Sequence, residues 1–212
     1  MCSATNSRRH NEGPEALRYN SGASLSERER WNQAFRAENS MGRTQVLAVA
    51  VLGAWLVSTL AMWFAATRSF ATVDSVLRRA NPQFMEATKP LGDAATRVVL
   101  RYLASEINRT LFWGYGTLQI TLGVILFLLL WQQRPRDPVG IGVAAGMLAL
   151  VAILTFVITP LIISLGRSID FAPRNPPPAV MPRFWALHGS FTGLDGVKFL
   201  AGLGLLIRWI FR

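Results

Sequence analysis

The sequence predicts an all-α, integral membrane four-helix bundle with an amphipathic loop helix extending into the second span. The 212 residues are 51% hydrophobic and 16% charged, which is poor material for a soluble domain. The apolar residues fall in four blocks, Gln45–Ala66, Leu111–Trp131, Val139–Gly166 and Trp185–Phe211. Each has about 20 residues or more, enough to cross a hydrocarbon core of roughly 30 Å. The remaining segments are too short for a separate soluble domain of ordinary size. A helix is also the element that satisfies its own backbone hydrogen bonds in lipid. The expected plan is a polar tail over 1–23, a surface helix over 24–44 and a four-span membrane domain over 45–212.

Residues 1–23, rich in Ser, Asn, Gly and Arg and without helical periodicity, read as disordered. Ser26 and Glu29 have the spacing of a capping box. Trp31 and Phe35 follow at i, i+4, so 24–44 reads as a short amphipathic helix on the membrane surface. A charged lead-in helix that never touches lipid fits the same residues. The first span is too long for the apolar part of a cleaved signal peptide and follows a long hydrophilic leader, so it is expected to be retained. Cys2 is the only cysteine, which excludes intrachain disulfides and cysteine-based metal sites. Lipidation of Cys2 stays open as an expectation, although a lipoprotein signal would place an apolar run before the cysteine.

The loop between the first two spans has structure of its own. Val73, Val76 and Leu77 share a helical face, and Asp74 and Arg78 have i, i+4 pairing distance. Asn81-Pro82 and Lys89-Pro90-Leu91-Gly92 are breakers. Asp93 is placed to cap the next helix, with Arg97, Arg101, Ser105 and Arg109 as a polar stripe and Val99, Leu103 and Ile107 as an apolar one. No breaker separates this helix from Leu111, so it should run on into the second span, where Trp113, Tyr115 and Trp131 read as interface anchors. Arg134-Pro135-Arg136-Asp137-Pro138 reads as a tight basic turn. In the third span Gly142 and Gly146 form a small-residue contact face, and Thr159-Pro160 should kink the helix.

The formal charge is +10, but the arginines are spread along the loops flanking the spans. Anionic lipid head groups are the expected partner, and nucleic acid is not, since no nucleic-acid motif is present. Four spans put both termini on one side. Lys and Arg divide almost evenly between the two sides, and the short connections, with Arg134 and Arg136 and then Arg208 and Arg212, favour cytoplasmic termini.

The last span alone carries ionisable groups deep in the bilayer. Thr192, Asp195 and Gly202 lie within about 40° of His188 on a helical wheel, and Gly189, Gly193 and Gly196 cluster on an adjacent face as packing glycines. Lys198 is three residues from Asp195 and can pair with it. At mid-membrane an Asp or Lys costs roughly 2.5 to 3.5 kcal/mol on insertion scales, so both must face protein or water. Ser58, Gln119, Thr121 and Thr155 lie at similar depth and are the natural partners. The candidate polar site is therefore Asp195, Lys198, His188, Thr192 and Gln119. It reads either as a proton, ion or polar-solute pathway or as a neutralised pair fixing helix rotation.

Catalysis is not expected. His188, Ser190 and Asp195 cannot form a triad, because Ser190 lies about 200° around the helix from His188. No His, Cys and carboxylate set has metal-ligand spacing, so neither metal nor cofactor is expected.

Phe184-Trp185-Ala186-Leu187-His188-Gly189-Ser190 opening the fourth span, with Thr159-Pro160 late in the third, resembles an uncharacterised bacterial four-span membrane family. That family is related to the eukaryotic "transmembrane protein 205" group, and the resemblance covers roughly Thr44 to Arg212. Its members tend to have an Asn-rich or apolar continuation after the His, from which Asp195 and Lys198 depart. The resemblance implies a four-span fold and no activity. The expectation is a protein of the bacterial inner membrane, a non-enzymatic accessory or structural subunit that forms a homo-oligomer or joins other membrane subunits. The alternative is a small transport or ion-conducting protein using the mid-membrane Asp–Lys pair.

Overall fold

The structure is a computed structural model that describes residues 25–173 and 175–211; the tail expected over 1–23 lies outside them. The chain divides into two compact units, Met1–Ser40 and Met41–Arg212. In the first, the described residues are helical from Leu25, and Trp31 is exposed.

The second unit is the membrane domain, and the described residues contain no strand. Its helices are α1 (Leu25–Arg78, from Met41 onward), α2 (Pro82–Thr88), α3 (Gly92–Gln132), α4 (Pro138–Ile153), α5 (Thr159–Ile169) and α6 (Met181–Ile210). A π-helical turn, Leu154–Ile158, joins α4 to α5. Four stretches are long and apolar enough to cross a membrane: Gly42–Arg78, Gly92–Gln132, Pro138–Ile169 and Met181–Ile210. The chain is thus an all-α, multi-pass membrane four-helix bundle.

The first span does not stop where its apolar block ends. Without a breaker before Asn81-Pro82, the helix continues to Arg78. Asn81 then caps α2, its side chain accepting from the Phe84 amide at 2.7 Å, with Pro82 at the first helical position. This extension changes the partner of Asp74. It pairs across to Arg97 (3.2 Å) and Arg101 (3.4 Å) at the start of α3 rather than with Arg78. Asp93 is in the first turn of α3 but does not cap it. Gly92, with φ of 72°, takes the left-handed conformation that begins the helix there.

α3 runs unbroken through 41 residues, about 62 Å at 1.5 Å per residue, and so joins the loop helix to the second span as expected. Its polar stripe passes from exposed Arg97 through half-buried Arg101 and Ser105 to buried Arg109, while its apolar stripe, Val99, Leu103 and Ile107, is exposed. That is the reverse of a water-soluble helix and suits apolar surroundings. In the third span Pro160 has no amide hydrogen, and its ring crowds the carbonyl four residues back. The helix relieves this by widening into the π turn instead of making a simple kink.

Two apolar clusters fill the bundle. Leu52, Trp55, Leu126, Met147 and Leu205 belong to the one nearer the Arg134–Pro138 turn. Met62, Tyr115, Leu154, Ile162 and Phe191 belong to the other. The glycines that let helices approach are Gly116, Gly123 and Gly202, whose added Cβ atoms would lie 2.7 to 2.9 Å from side chains of neighbouring helices. The glycines expected to do this do not. A Cβ at Gly142, Gly146, Gly189, Gly193 or Gly196 would meet nothing within 4 Å. On α6 the buried residues Phe191, Asp195, Lys198, Gly202 and Leu205 centre about 60° from His188, and the three α6 glycines lie on the far side of the wheel.

Gly116→Ala tests this packing directly. The new methyl would meet Thr155 Cγ2 and Oγ1 at 2.7 Å, and Thr155 is buried and β-branched, with little freedom to turn away. The expected loss is about 1–3 kcal/mol, read as a lower unfolding midpoint in detergent. Thr155→Ala on the same chain should restore most of it.

The Arg134–Pro138 turn is more than a basic connection. Asp137 is buried and accepts from Arg208 Nη1 (2.7 Å) and Nη2 (3.0 Å) and from Trp209 Nε1 (3.2 Å). The Arg208 guanidinium holds its carboxyl down at about 2, below the usual 3.8. Because the folded value is depressed, the stabilisation is present above about pH 4 and disappears as pH falls towards 2. Between those values the melting temperature of the native chain should fall further than that of Asp137→Asn.

Candidate intramembrane polar site

Between the two apolar clusters lies a layer of hydrogen-bonded polar side chains from α1, α3 and α6. Asp195 and Lys198 face inward from α6, one helical turn apart, with Lys198 Nζ 2.7 Å from Asp195 Oδ1. Their exposures are 0% and 1%, so neither charge meets lipid or bulk water. An unpaired charge here would cost several kcal/mol.

The rest of the layer satisfies the pair atom by atom. The Lys198 ammonium also donates to Gln119 Oε1, to the Tyr115 hydroxyl (2.9 Å) and to Thr59 Oγ1 (3.2 Å). Four acceptors thus share three ammonium protons. Asp195 accepts from the Tyr115 hydroxyl at 2.9 Å and from Trp63 Nε1 at 2.9 Å. Tyr115 therefore accepts from the cation and donates to the anion, bridging both. Gln119 accepts from Trp55 Nε1 through its oxygen, and its amide nitrogen donates to Ser58 Oγ at 2.8 Å. Ser58 and Thr59 close the set by donating to the Trp55 carbonyl at 2.8 and 3.2 Å. Beside the pair is a space of about 10 Å³, also lined by Gly116, Thr155 and Thr159, which is about the room one water needs.

Of the expected site residues, Asp195, Lys198 and Gln119 come together. His188 and Thr192 do not join them. Thr192 is exposed, its hydroxyl donating to the His188 carbonyl at 3.0 Å. His188 sits one bundle layer away among aromatic rings, parallel to Phe184 at 5.9 Å and edge-on to Phe112 and Trp185 at 6.3 and 6.0 Å. The wheel window centred on His188 was too far round: the buried face contains Lys198 and leaves Thr192 outside. Among the expected partners, Ser58 joins through Gln119, Thr155 borders the small space, and Thr121 is exposed and bonds to Thr117 in its own helix.

Trp55, Thr59, Trp63 and Tyr115 belong to the layer, although the residues pointed to none of them. Tyr115 in particular is a buried bridge and not an interface anchor. A signal was present. Trp55, Thr59 and Trp63 recur at i, i+4, i+8, and Tyr115 and Gln119 at i, i+4, each a one-face stripe of hydrogen-bonding groups at the depth of Asp195.

A second ion cluster sits at the end of the bundle remote from Asp137. Arg109, on α3, donates to Asp170 through Nη2, at 2.8 Å to each carboxylate oxygen, and to Glu106 through Nη1 at 2.6 Å. Arg167 approaches the other Glu106 oxygen at 3.7 Å. Gly166 leaves space for the Arg109 guanidinium, whose Nη2 would be 3.3 Å from a Cβ there.

Compared with protein-family models, with curated proteins and with solved structures, the chain has no match.

Proposed function

We propose that the chain is a non-enzymatic accessory or structural subunit of a membrane assembly in a bacterial inner membrane, with the cytoplasmic termini that the short connections bearing Arg134, Arg136, Arg208 and Arg212 favour. The observation that supports this is the closure of the Asp195–Lys198 layer. A pathway for ions or protons needs groups that can exchange partners with water, whereas here the pair is enclosed and fully hydrogen-bonded. Such a layer fixes the rotation and register of α1, α3 and α6. The outward glycines of α4 and of α6 support a second part of the proposal, that these helix surfaces receive another copy or another membrane subunit.

Flux through proteoliposomes tests the reading against its alternative, a small ion- or proton-conducting protein. With the subunit role, vesicles holding the full chain leak protons and monovalent cations no faster than empty ones. Conduction that Asp195→Asn abolishes would overturn it. Mass spectrometry of complexes extracted in mild detergent should then find a second copy or another membrane subunit.

A further inference from the structure

A cavity of about 700 Å³ opens among the ends of α1, α3, α5 and α6, on the side of the Glu106–Arg109–Asp170 cluster. Its size is that of pockets which hold small organic ligands. All four helices contribute residues near the ends of their apolar blocks, from Ala66 and Thr67, Asn108 to Phe112, Ile162 to Asp170, and Met181 to His188. The cavity therefore lies at head-group depth. Its walls are largely apolar and aromatic, with Phe70, Phe112, Phe184 and Trp185 among them.

Three buried polar atoms on residues lining this cavity have no hydrogen-bond partner among the described residues: Arg101 Nε, Asn108 Oδ1 and His188 Nδ1. Asn108 is 8% exposed. Elsewhere among the described residues Thr96 Oγ1 is the one other buried side-chain polar atom without a partner, and leaving such an atom unpaired costs free energy that a ligand able to pair it would recover. These atoms are shut off from solvent as they stand, so engagement requires each side chain to turn about its terminal bonds.

Charge narrows the ligand further. The linked ion pairs around the cavity contain Arg97, Arg101, Arg109 and Arg167 against Asp74, Glu106 and Asp170. Arg109 is saturated by two carboxylates, whereas Arg97 and Arg101 share the single carboxylate of Asp74. One positive charge is left over beside an apolar cavity at the membrane surface. We infer that the cavity binds an acyl-chain amphiphile whose head is a monoanionic oxyanion, the chain lying along the aromatic walls and the head accepting from Arg101 Nε, from His188 Nδ1 carrying its proton, and from the Asn108 amide nitrogen once the amide has turned over to put Nδ2 where the unpaired oxygen lies. A free carboxylate and a phosphodiester lipid share this chemistry. The inference uses none of the residues of the Asp195 layer and does not rest on the subunit role.

The test uses the full chain in mild detergent, presented separately with oleate, phosphatidylglycerol and zwitterionic phosphatidylcholine, with bound amphiphile counted by native mass spectrometry. Oleate or phosphatidylglycerol should be retained in preference to phosphatidylcholine, and the one retained identifies the head as carboxylate or phosphodiester. Asn108→Leu and His188→Phe should each weaken retention about tenfold or more, a difference of about 1.4 kcal/mol. Retention no better than phosphatidylcholine, or unchanged retention in both variants at native melting temperatures, would overturn the inference. Should the variants fail to fold, chain-brominated oleate and phosphatidylglycerol are added to the unaltered protein. The preferred one should quench tryptophan fluorescence in a way that Trp185→Phe diminishes, and quenching that survives Trp185→Phe in full refutes the site.

Discussion

Lys198→Met is expected to destabilise the bundle by about 3–5 kcal/mol, the cost of leaving a buried carboxylate without its cation. The variant keeps roughly the side-chain volume but strands Asp195, which is 0% exposed. Trp63 and Tyr115 would still donate to the carboxylate, and two neutral donors do not offset a whole charge. The measurement is the unfolding midpoint in mixed micelles. Adding Asp195→Asn to Lys198→Met should recover much of the loss, because an asparagine oxygen still accepts from Trp63 and Tyr115 and carries no charge. Leu at 195 should recover less, since it would also orphan those two donors. A double variant carrying Asn that is no more stable than Lys198→Met alone would mean that the stranded carboxylate is not the source of the loss.

Arg109→Met should have the next largest effect, of the order of 3–5 kcal/mol. Arg109 is the single cation in contact with Asp170 among the described ion pairs, and it ties the cavity end of α3 to the end of α5. Without it Asp170 and Glu106 are two carboxylates with only Arg167 nearby, at 3.7 Å from Glu106. Loss should appear first as faster hydrogen exchange at the start of α3 and the end of α5, with the core around Trp55 retaining its protection. Equal loss of protection throughout would show that the two ends of the bundle unfold together.

How much of this could be read beforehand depends on which physical signal each feature leaves in a sequence. The four spans were legible because a hydrocarbon solvent imposes length and apolarity residue by residue. Asp195 and Lys198 were legible because a charge at that depth is costly, and Gln119 because its amide lies at the same level. Trp55, Trp63 and Tyr115 were not, since an aromatic ring with a polar edge suits both a membrane interface and a buried hydrogen bond, and only the neighbouring helices decide between them. The outward glycines show the same limit. A small-residue pattern says that a close approach is sterically open, while rotation of the helix, set by the Asp195 layer, decides what is approached. Asp137 was hidden for a different reason: its partner Arg208 is 71 residues away, a distance in sequence over which no local pattern operates.

Asp195 and Lys198 are neighbours within one helix, and this has a consequence for how the chain enters the bilayer. A charge pair split between two helices would leave each helix to insert with its own unneutralised group. Here the contact is local, so α6, the last span to be made, can form it while leaving the insertion machinery, before it docks on α1 and α3 with their hydroxyls, amide and indoles. The helix then carries a short internal dipole in place of two separate ions across the membrane. Assembly of the bundle only has to replace the water around that dipole. Moving Lys198 to a position where it cannot reach Asp195 in its own helix should therefore reduce the yield of inserted protein even if the finished bundle could still bring the two charges together.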